Sequence, residues 1–332
     1  MHAAVFHAPN NITNEEVYYN NNDEILSGVS LRVNACAVCG YDVRVFRNGH
    51  QKVTPPIILG HEICGQIEKD VPLTRTTSDL TKQTIIKAGS RVAVSPIIPE
   101  NILKVGGLVE VPDNLSDEEA TLLEPLACSL NGFSHLGPIT TEETTVAIIG
   151  DGPIGLLHLQ ISKRLFGAKT IVIGKIRHRI QKANEMGADA ATTIYSNESN
   201  TYSDEKALKD TLDFTDGVGA NVIIVATSNY SAIDFAQKIA SKNSRINIFA
   251  GMAKGISLSL DPNWLHYNQI TITGSFGSVP NMLQQAARLA SNGCVDLSKM
   301  VSHRYSLANI QEAILATEEY HGLRVVVDNL RQ

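Results

Sequence analysis

TTVAIIGDGPIG, residues 144–155, decides the fold of this chain. Its first half is an unbroken apolar run of strand length. Its second half is a G-x-G-x-x-G, Gly150-Asp151-Gly152-Pro153-Ile154-Gly155, which opens an apolar helical stretch from Pro153 to Leu165. A glycine turn between a buried strand and a helix is the context in which this motif binds a dinucleotide. Gly150 makes the tight turn, Gly152 leaves room for a pyrophosphate, and Gly155 lets the helix approach the strand. Pro153 and Ile154 lie in the first helical turn, whose free N–H groups face the phosphates.

Working outward, apolar strands and helical stretches alternate. TIVIG (170–174), IRHRIQKANEMGA (176–188), ANVIIVAT (220–227), SAIDFAQKIAS (231–241), RINIFAG (245–251) and QITITGS (269–275) follow one another. That alternation predicts a doubly wound parallel sheet. Two more helices, 281–293 and 307–320, and a strand, LRVVV at 323–327, close the chain. Upstream, short apolar runs (VSLRVNACAV, PPIILG, RVAVSPII) separated by turn residues predict irregular β structure. Asp70 to Gln83 reads as an exposed loop, and Ser116 to Leu130 as a helix capped by Ser116.

The second strand bears on cofactor choice. An NAD site places an acid about 20 residues past the fingerprint, on the ribose 2′-OH. Here Gly174 stands at that place, and Lys175, Arg177 and Arg179 follow. Losing a carboxylate and gaining cations suits a 2′-phosphate, so NADP(H) is expected over NAD(H). The competing reading of the cations is a solvated helix start.

At 332 residues the chain is long enough for two domains, and its composition, 43% hydrophobic and 19% charged, is that of a globular protein. A net charge of −6 gives no electrostatic case for nucleic acid or an anionic membrane. No apolar run approaches the ~18 residues of a membrane span. The first residues lack a secretory pattern, so a cytoplasmic location is expected. The five cysteines, Cys36, Cys39, Cys64, Cys128 and Cys294, are odd in number and scattered, which argues against a disulfide framework. One C-x-x-C without a second cannot build a four-cysteine zinc site.

Three stretches upstream of the glycine turn carry metal-binding side chains: Cys39-Gly40-Tyr41-Asp42, Gly60-His61-Glu62 and Glu124-Pro125-Leu126-Ala127-Cys128. A thiolate, an imidazole and carboxylates make a borderline set suited to Zn²⁺ with an open position. A metal that polarises an oxygen, beside a dinucleotide that exchanges a hydride, is the equipment of an alcohol dehydrogenase.

These stretches, with PPIILGHE, VPDNLS, HYNQITITGSFGS (266–278) and VSHRYSL (301–307), resemble the zinc-dependent medium-chain dehydrogenases. The nearest branch is that of sorbitol, threonine and polyol dehydrogenases. The resemblance covers nearly the whole chain. It implies a Rossmann domain at 139–275 and a GroES-like β-rich catalytic domain at 1–138 and 276–332. It implies one catalytic Zn²⁺ on Cys39 (rather than Cys36), His61, Glu62 as ligand or exchangeable partner, and Glu124 directly or through water. Asp42 would orient His61, and Arg324 would contact cofactor phosphates. The implied activity is reversible oxidation of a secondary alcohol: a polyol, a sugar alcohol or its phosphate. The implied assembly is a homo-oligomer, dimer or tetramer, acting on a small-molecule substrate.

The chain also departs from the family pattern. Tyr41 stands where a Ser or Thr usually starts a proton relay, and Arg44 where a His often stands. The relay could run through His50, Tyr41 or water. After VAVSPIIP, Pro99 runs into ENILKVGG, without the usual four-cysteine lobe, so no structural zinc is expected. Arg44 and Arg47 are candidates for a substrate phosphate. Two other readings remain: a zinc-free NADPH-dependent carbonyl or enone reductase, and a non-catalytic nucleotide-binding sensor.

Overall fold

A computed structural model describes residues 1–18, 29–73, 84–95, 107–139, 144–194 and 205–328. The junction at 96–106, where the four-cysteine lobe is expected to be missing, lies outside the described residues, as does 74–83 of the expected loop. The chain divides into two compact units, one of residues 1–127 and 278–332, the other of residues 128–277.

The first unit opens with β1 (His2–Ala8), β2 (Asn11–Glu16), β3 (Leu31–Val38), α1 (Gly40–Asn48), β4 (Ile57–Ile58) and β5 (Glu62–Ile67). It continues through β6 (Val71–Leu73), β7 (Thr84–Ile86), β8 (Arg91–Val94), β9 (Leu108–Glu110), α2 (Asp117–Ala120) and α3 (Leu123–Ser134), which runs on into the second unit. The second unit holds β10 (Thr145–Ile149), α4 (Pro153–Arg164), β11 (Lys169–Gly174), α5 (Arg177–Glu185), β12 (Ala190–Thr193) and α6 (Glu205–Phe214). Then come β13 (Ala220–Val225), α7 (Ser231–Lys238), β14 (Ala240–Ile248), α8 (Pro262–Asn268) and β15 (Thr271–Gly274). The chain returns to the first unit with α9 (Pro280–Ser291), β16 (Val301–Ser306), α10 (Ile310–Glu318) and β17 (Arg324–Asp328).

In the second unit the described strands form one parallel sheet in the order β12-β11-β10-β13-β14-β15. This is the doubly wound order, reversing direction beside β10, the strand that feeds the glycine turn. Ile148, Ile149, Val172, Ile173 and Ile224 are fully or almost fully buried, as expected of strands covered on both faces. In the first unit one described sheet runs β16-β17-β3-β5-β8-β9, antiparallel except for β16 with β17. A smaller sheet, β2-β1-β4, packs its Phe6 with Val45, Phe46 and Ile314. The expected class, a doubly wound parallel sheet with a separate β-rich unit, is the observed one.

Three local readings change. The single helix expected over 116–130 breaks into α2 and α3. Ser116 does cap α2, its hydroxyl accepting from Glu119 N–H while Glu119 accepts from Ser116 N–H. Pro125 would clash with the carbonyl of Thr121 in a continuous helix, so the helix restarts at Leu123 with the proline in its first turn. Helix α1 went unread because it is short and starts on glycine; Asp42 at its third position secures the start by accepting from Cys39 N–H at 2.9 Å. Strand β12, helix α6 and helix α8 were also unread.

His158 in α4 reports on the second unit. Its Nδ1 donates to the Ile154 carbonyl at 2.8 Å, and its buried Nε2 has no hydrogen-bond partner. Phe133 and Phe249 flank the ring, with centroids 5.3 and 4.7 Å away. Burial pulls its pKa down to about 4. The folded value lies below the ordinary 6.5, so protonation favours the unfolded chain. Stability from this residue is complete above pH ~6.5 and is lost as pH falls towards ~4, by about 3 kcal/mol. Urea unfolding at pH 7 and pH 4.5 is expected to show this loss in the wild type and a clearly smaller one in His158→Leu.

Candidate functional site

Strand register assembles the candidate metal centre. In the central sheet Val325 pairs with Val38, and Ala37 pairs with Glu62. Continuing that register by one residue sets Arg324, Cys39 and His61 at the same end of β17, β3 and β5. Cys39 caps α1. Gly60 precedes His61 with φ +114°, and a Cβ there would lie 2.7 Å from Cys36 Sγ, so only glycine brings β5 this close to β3.

The ligand atoms of Cys39, His61 and Glu62 all lie within 4.8 Å of one another. Three of the four residues expected at the metal are thus brought together. Asp42, itself buried, ties two of them together: one oxygen accepts from Cys39 N–H at 2.9 Å, and the other faces His61 Nδ1 at 3.2 Å. The ligand atom of Cys39 lies within 4.8 Å of that of His61. Glu124, in the first turn of α3, is buried and close enough for its charge to act on Glu62, but it is not within the trio.

The charges explain what such a cluster lacks. Burial pushes the Glu62 carboxyl up to about 7; Arg324 works against that rise and Glu124 adds to it. Burial raises the Cys39 thiol, as does the charge of Glu62. Burial opposes a charge on His61, but the hydrogen bonds to Asp42 and Cys39 outweigh it and push the ring up to about 12. A divalent ion would stabilise the thiolate of Cys39 and the carboxylate of Glu62, and would take His61 as its neutral ring. Glu62 Oε2 is buried without a hydrogen-bond partner. A thiol, an imidazole and an orphaned carboxylate oxygen in this proximity fit Zn²⁺.

Arg324 has partners in this cluster that the sequence did not reveal. Expected at the cofactor phosphates, it is buried, with Nη2 3.1 Å from Glu62 Oε1 and Nη1 donating to the Val38 carbonyl. It is the fixed cation of the metal cluster. The sequence signal was available: an arginine in an otherwise apolar strand must be paired.

Tyr41 stands edge-on to both His61 and His50, with centroids 5.7 and 5.4 Å away. Its hydroxyl lies 3.4 Å from His50 Nδ1, which also accepts from Lys52 N–H at 3.2 Å. His50 is exposed, so this pair leads from beside His61 to solvent. Arg44 is exposed, whereas Arg47 is engaged by Glu318 and Asn10. His303 is near the surface beside Ser302, and Trp264 packs on the core of the second unit.

In the second unit the glycine turn has the geometry its motif promised. Gly150 has φ +125°, and a Cβ there would lie 2.8 Å from the Ala226 carbonyl. A Cβ at Gly155 would collide with the Gly150 carbonyl. Gly152 caps α4, and only Arg179 Nη1, at 3.9 Å, borders the place its Cβ would take, so the turn is open there. Pro153 and Ile154 begin α4. A dinucleotide pyrophosphate fits this cradle. Lys175 is half-buried, Arg177 exposed and Arg179 buried beside the turn.

Gly174 lies at the end of β11 as expected, but that end does not lack a carboxylate. A Cβ on Gly174 would fall 2.5 Å from Cγ and Oδ2 of Asp151, which occupies the space of the missing side chain. Asp151 Oδ2 accepts from Lys175 N–H at 2.8 Å and Ile176 N–H at 2.6 Å. Sequence reading passed over Asp151 as a variable position of the motif. The signal was the combination of an acid inside the turn with a glycine at the strand end.

Comparison with known proteins agrees with this geometry. The family "Zinc-binding dehydrogenase" matches residues 153–292, and "Alcohol dehydrogenase GroES-like domain" matches residues 27–109. The chain is 25% identical over 326 residues to D-arabitol-phosphate dehydrogenase of Enterococcus avium, covering 91% of this chain and 90% of that one. It is 27% identical over 354 residues to sorbitol dehydrogenase of Bacillus subtilis, covering 95% and 92%. Among solved structures, an alcohol dehydrogenase of Escherichia coli CFT073 complexed with NADH superposes with a TM-score of 0.79 at 22% identity, covering 99% of both chains. With a Rossmann unit, a GroES-like unit and the motifs of both, the chain belongs to the zinc-dependent medium-chain dehydrogenase family.

Proposed function

We propose that this chain is a zinc-dependent oxidoreductase that transfers a hydride between a secondary alcohol and a nicotinamide dinucleotide. The observation that carries the reading is the close Cys39–His61–Glu62 trio, with Glu62 buried, in a chain that also has an open glycine turn. Zinc, when bound, supplies a Lewis acid for the alcohol oxygen, and the nicotinamide exchanges the hydride. Cys39, His61 and Glu62 would hold the metal, with Glu124 near enough to share it, and Asp42 would fix the ring of His61. Tyr41 and His50 would pass the alcohol proton to solvent. The relatives' names support a polyol, a sugar alcohol or its phosphate as substrate; engagement of Arg47 by Glu318 weighs against that arginine as a phosphate anchor.

Residues 1–138 and 276–332 would be the catalytic domain and 139–275 the dinucleotide domain. Lys175, Arg177 and Arg179 support NADP(H), and the carboxylate of Asp151 opposes it. The exposed side chains of Tyr267 and Phe276 on either side of β15 support assembly as a homo-oligomer. Among the described residues no helix is long and apolar enough to cross a membrane. A zinc-free reductase or a sensor would leave the buried, unpaired oxygen of Glu62 without a purpose.

Metal analysis of protein purified without added metal or chelator is expected to find about one zinc per chain. Oxidation of a polyol is expected to stop on chelation and to return with Zn²⁺. Cys39→Ala should lose metal and turnover yet keep dinucleotide binding; retained turnover in that variant would refute the mechanism.

Zinc affinity should also depend on pH. Binding must displace protons from His61, raised to about 12, and from the raised Cys39 thiol. Affinity therefore rises with pH, by about tenfold per unit for each proton released. Competition with a chromophoric chelator at pH 6, 7 and 8 measures it. Asp42→Asn, which breaks the bridge between two ligands, is expected to weaken zinc by about 10–100-fold at each pH.

A further inference from the structure

We infer that Asp151, inside the glycine turn, is the acid that recognises the adenosine ribose, and that it selects NAD(H) over NADP(H). The inference rests on the dinucleotide reading above and reverses the preference suggested by the amino acids at positions 174–179.

The geometry leaves room for one side chain at the end of β11. A Cβ on Gly174 would overlap the Asp151 side chain, so an acid at either position excludes one at the other. Dinucleotide sites of this fold commonly place a carboxylate at the strand end to accept from the ribose hydroxyls. Here the carboxylate reaches the same place from the neighbouring turn. It is buried and anchored by two backbone N–H groups, those of Lys175 and Ile176, both ending on Oδ2. Oδ1 is the atom through which a ribose hydroxyl would be held.

The same two amides decide against a 2′-phosphate. Consecutive N–H groups at the start of a helix are a favourable seat for an anion. Asp151 already fills that seat with its own negative charge. A 2′-phosphate would meet a fixed carboxylate in a poorly solvated place, where like charges repel strongly. The cations cannot cancel this. Arg177 is exposed and its field is screened by solvent. Arg179 Nη1 lies 3.9 Å from the place a Cβ of Gly152 would take, beside the turn that would seat the pyrophosphate. Lys175 is half-buried one residue after the strand, with Asp151 as a neighbouring charge. The basic run is thus accounted for without a 2′-phosphate.

Binding measured by calorimetry, with no turnover, tests this. The probes are NADH, NADPH and the fragments 5′-AMP and 2′,5′-ADP, which isolate the adenosine end. The wild type is expected to bind NADH and 5′-AMP at least about tenfold tighter than their 2′-phosphorylated counterparts. Asp151→Asn keeps an acceptor for the two amides but removes the charge, and should bring the two dinucleotides within about threefold. The double variant Asp151→Gly, Gly174→Asp returns the carboxylate to the strand end and should restore the NADH preference. Equal or tighter NADPH binding by the wild type would overturn the inference. So would an Asp151→Asn protein that is folded by circular dichroism and discriminates as the wild type does. If no probe binds the wild type, the dinucleotide reading itself fails, and this inference with it.

Discussion

The buried pairing of Arg324 with Glu62 is the constraint on which the candidate metal centre depends. Four acidic side chains, Cys39, Asp42, Glu62 and Glu124, gather with two cations, His61 and Arg324, at one end of the central sheet. Burying so much acid is unfavourable unless it is paired. Arg324 is the permanent partner because a guanidinium does not lose its proton under ordinary conditions. His61 is the adjustable one: charged in the metal-free cluster and able to become a neutral ligand. Acids held by one permanent and one adjustable cation are a setting that fits a divalent ion.

Asp42 is economical within this scheme. It starts helix α1, fixes the backbone of Cys39 and aims the ring of His61 with two oxygens. A single residue thereby couples a helix start to the orientation of two ligands. Gly60 plays the matching part on β5, where any side chain would strike Cys36. These are local devices, and each places a ligand without help from the ligand itself.

The dinucleotide unit shows a second case of charge filling a defined space. Gly150 and Gly155 permit the close turn, and Asp151 then ties that turn to the end of the next strand. The carboxylate both satisfies two backbone amides just before α5 and excludes a side chain at position 174. The anchoring of the turn and the close packing at this place follow from one group.

Sequence alone determined the doubly wound unit, because buried parallel strands and a glycine turn leave a periodic record in neighbouring residues. It also determined the identities of Cys39, His61 and Glu62, because the thiol, the imidazole and its adjoining acid lie in short motifs. Helix α1 was not legible, being short and secured by a cap rather than by a long apolar stripe. The break between α2 and α3 was legible only in hindsight, through the clash of Pro125 with the Thr121 carbonyl. Tertiary structure alone decided the partners of Arg324 and Asp151. Arg324 meets Glu62 across strands separated by most of the chain, and Asp151 meets Gly174 across two adjacent strands of the sheet. Linear motifs record which groups are present; which charge faces which is set by strand register, and register comes only with the fold.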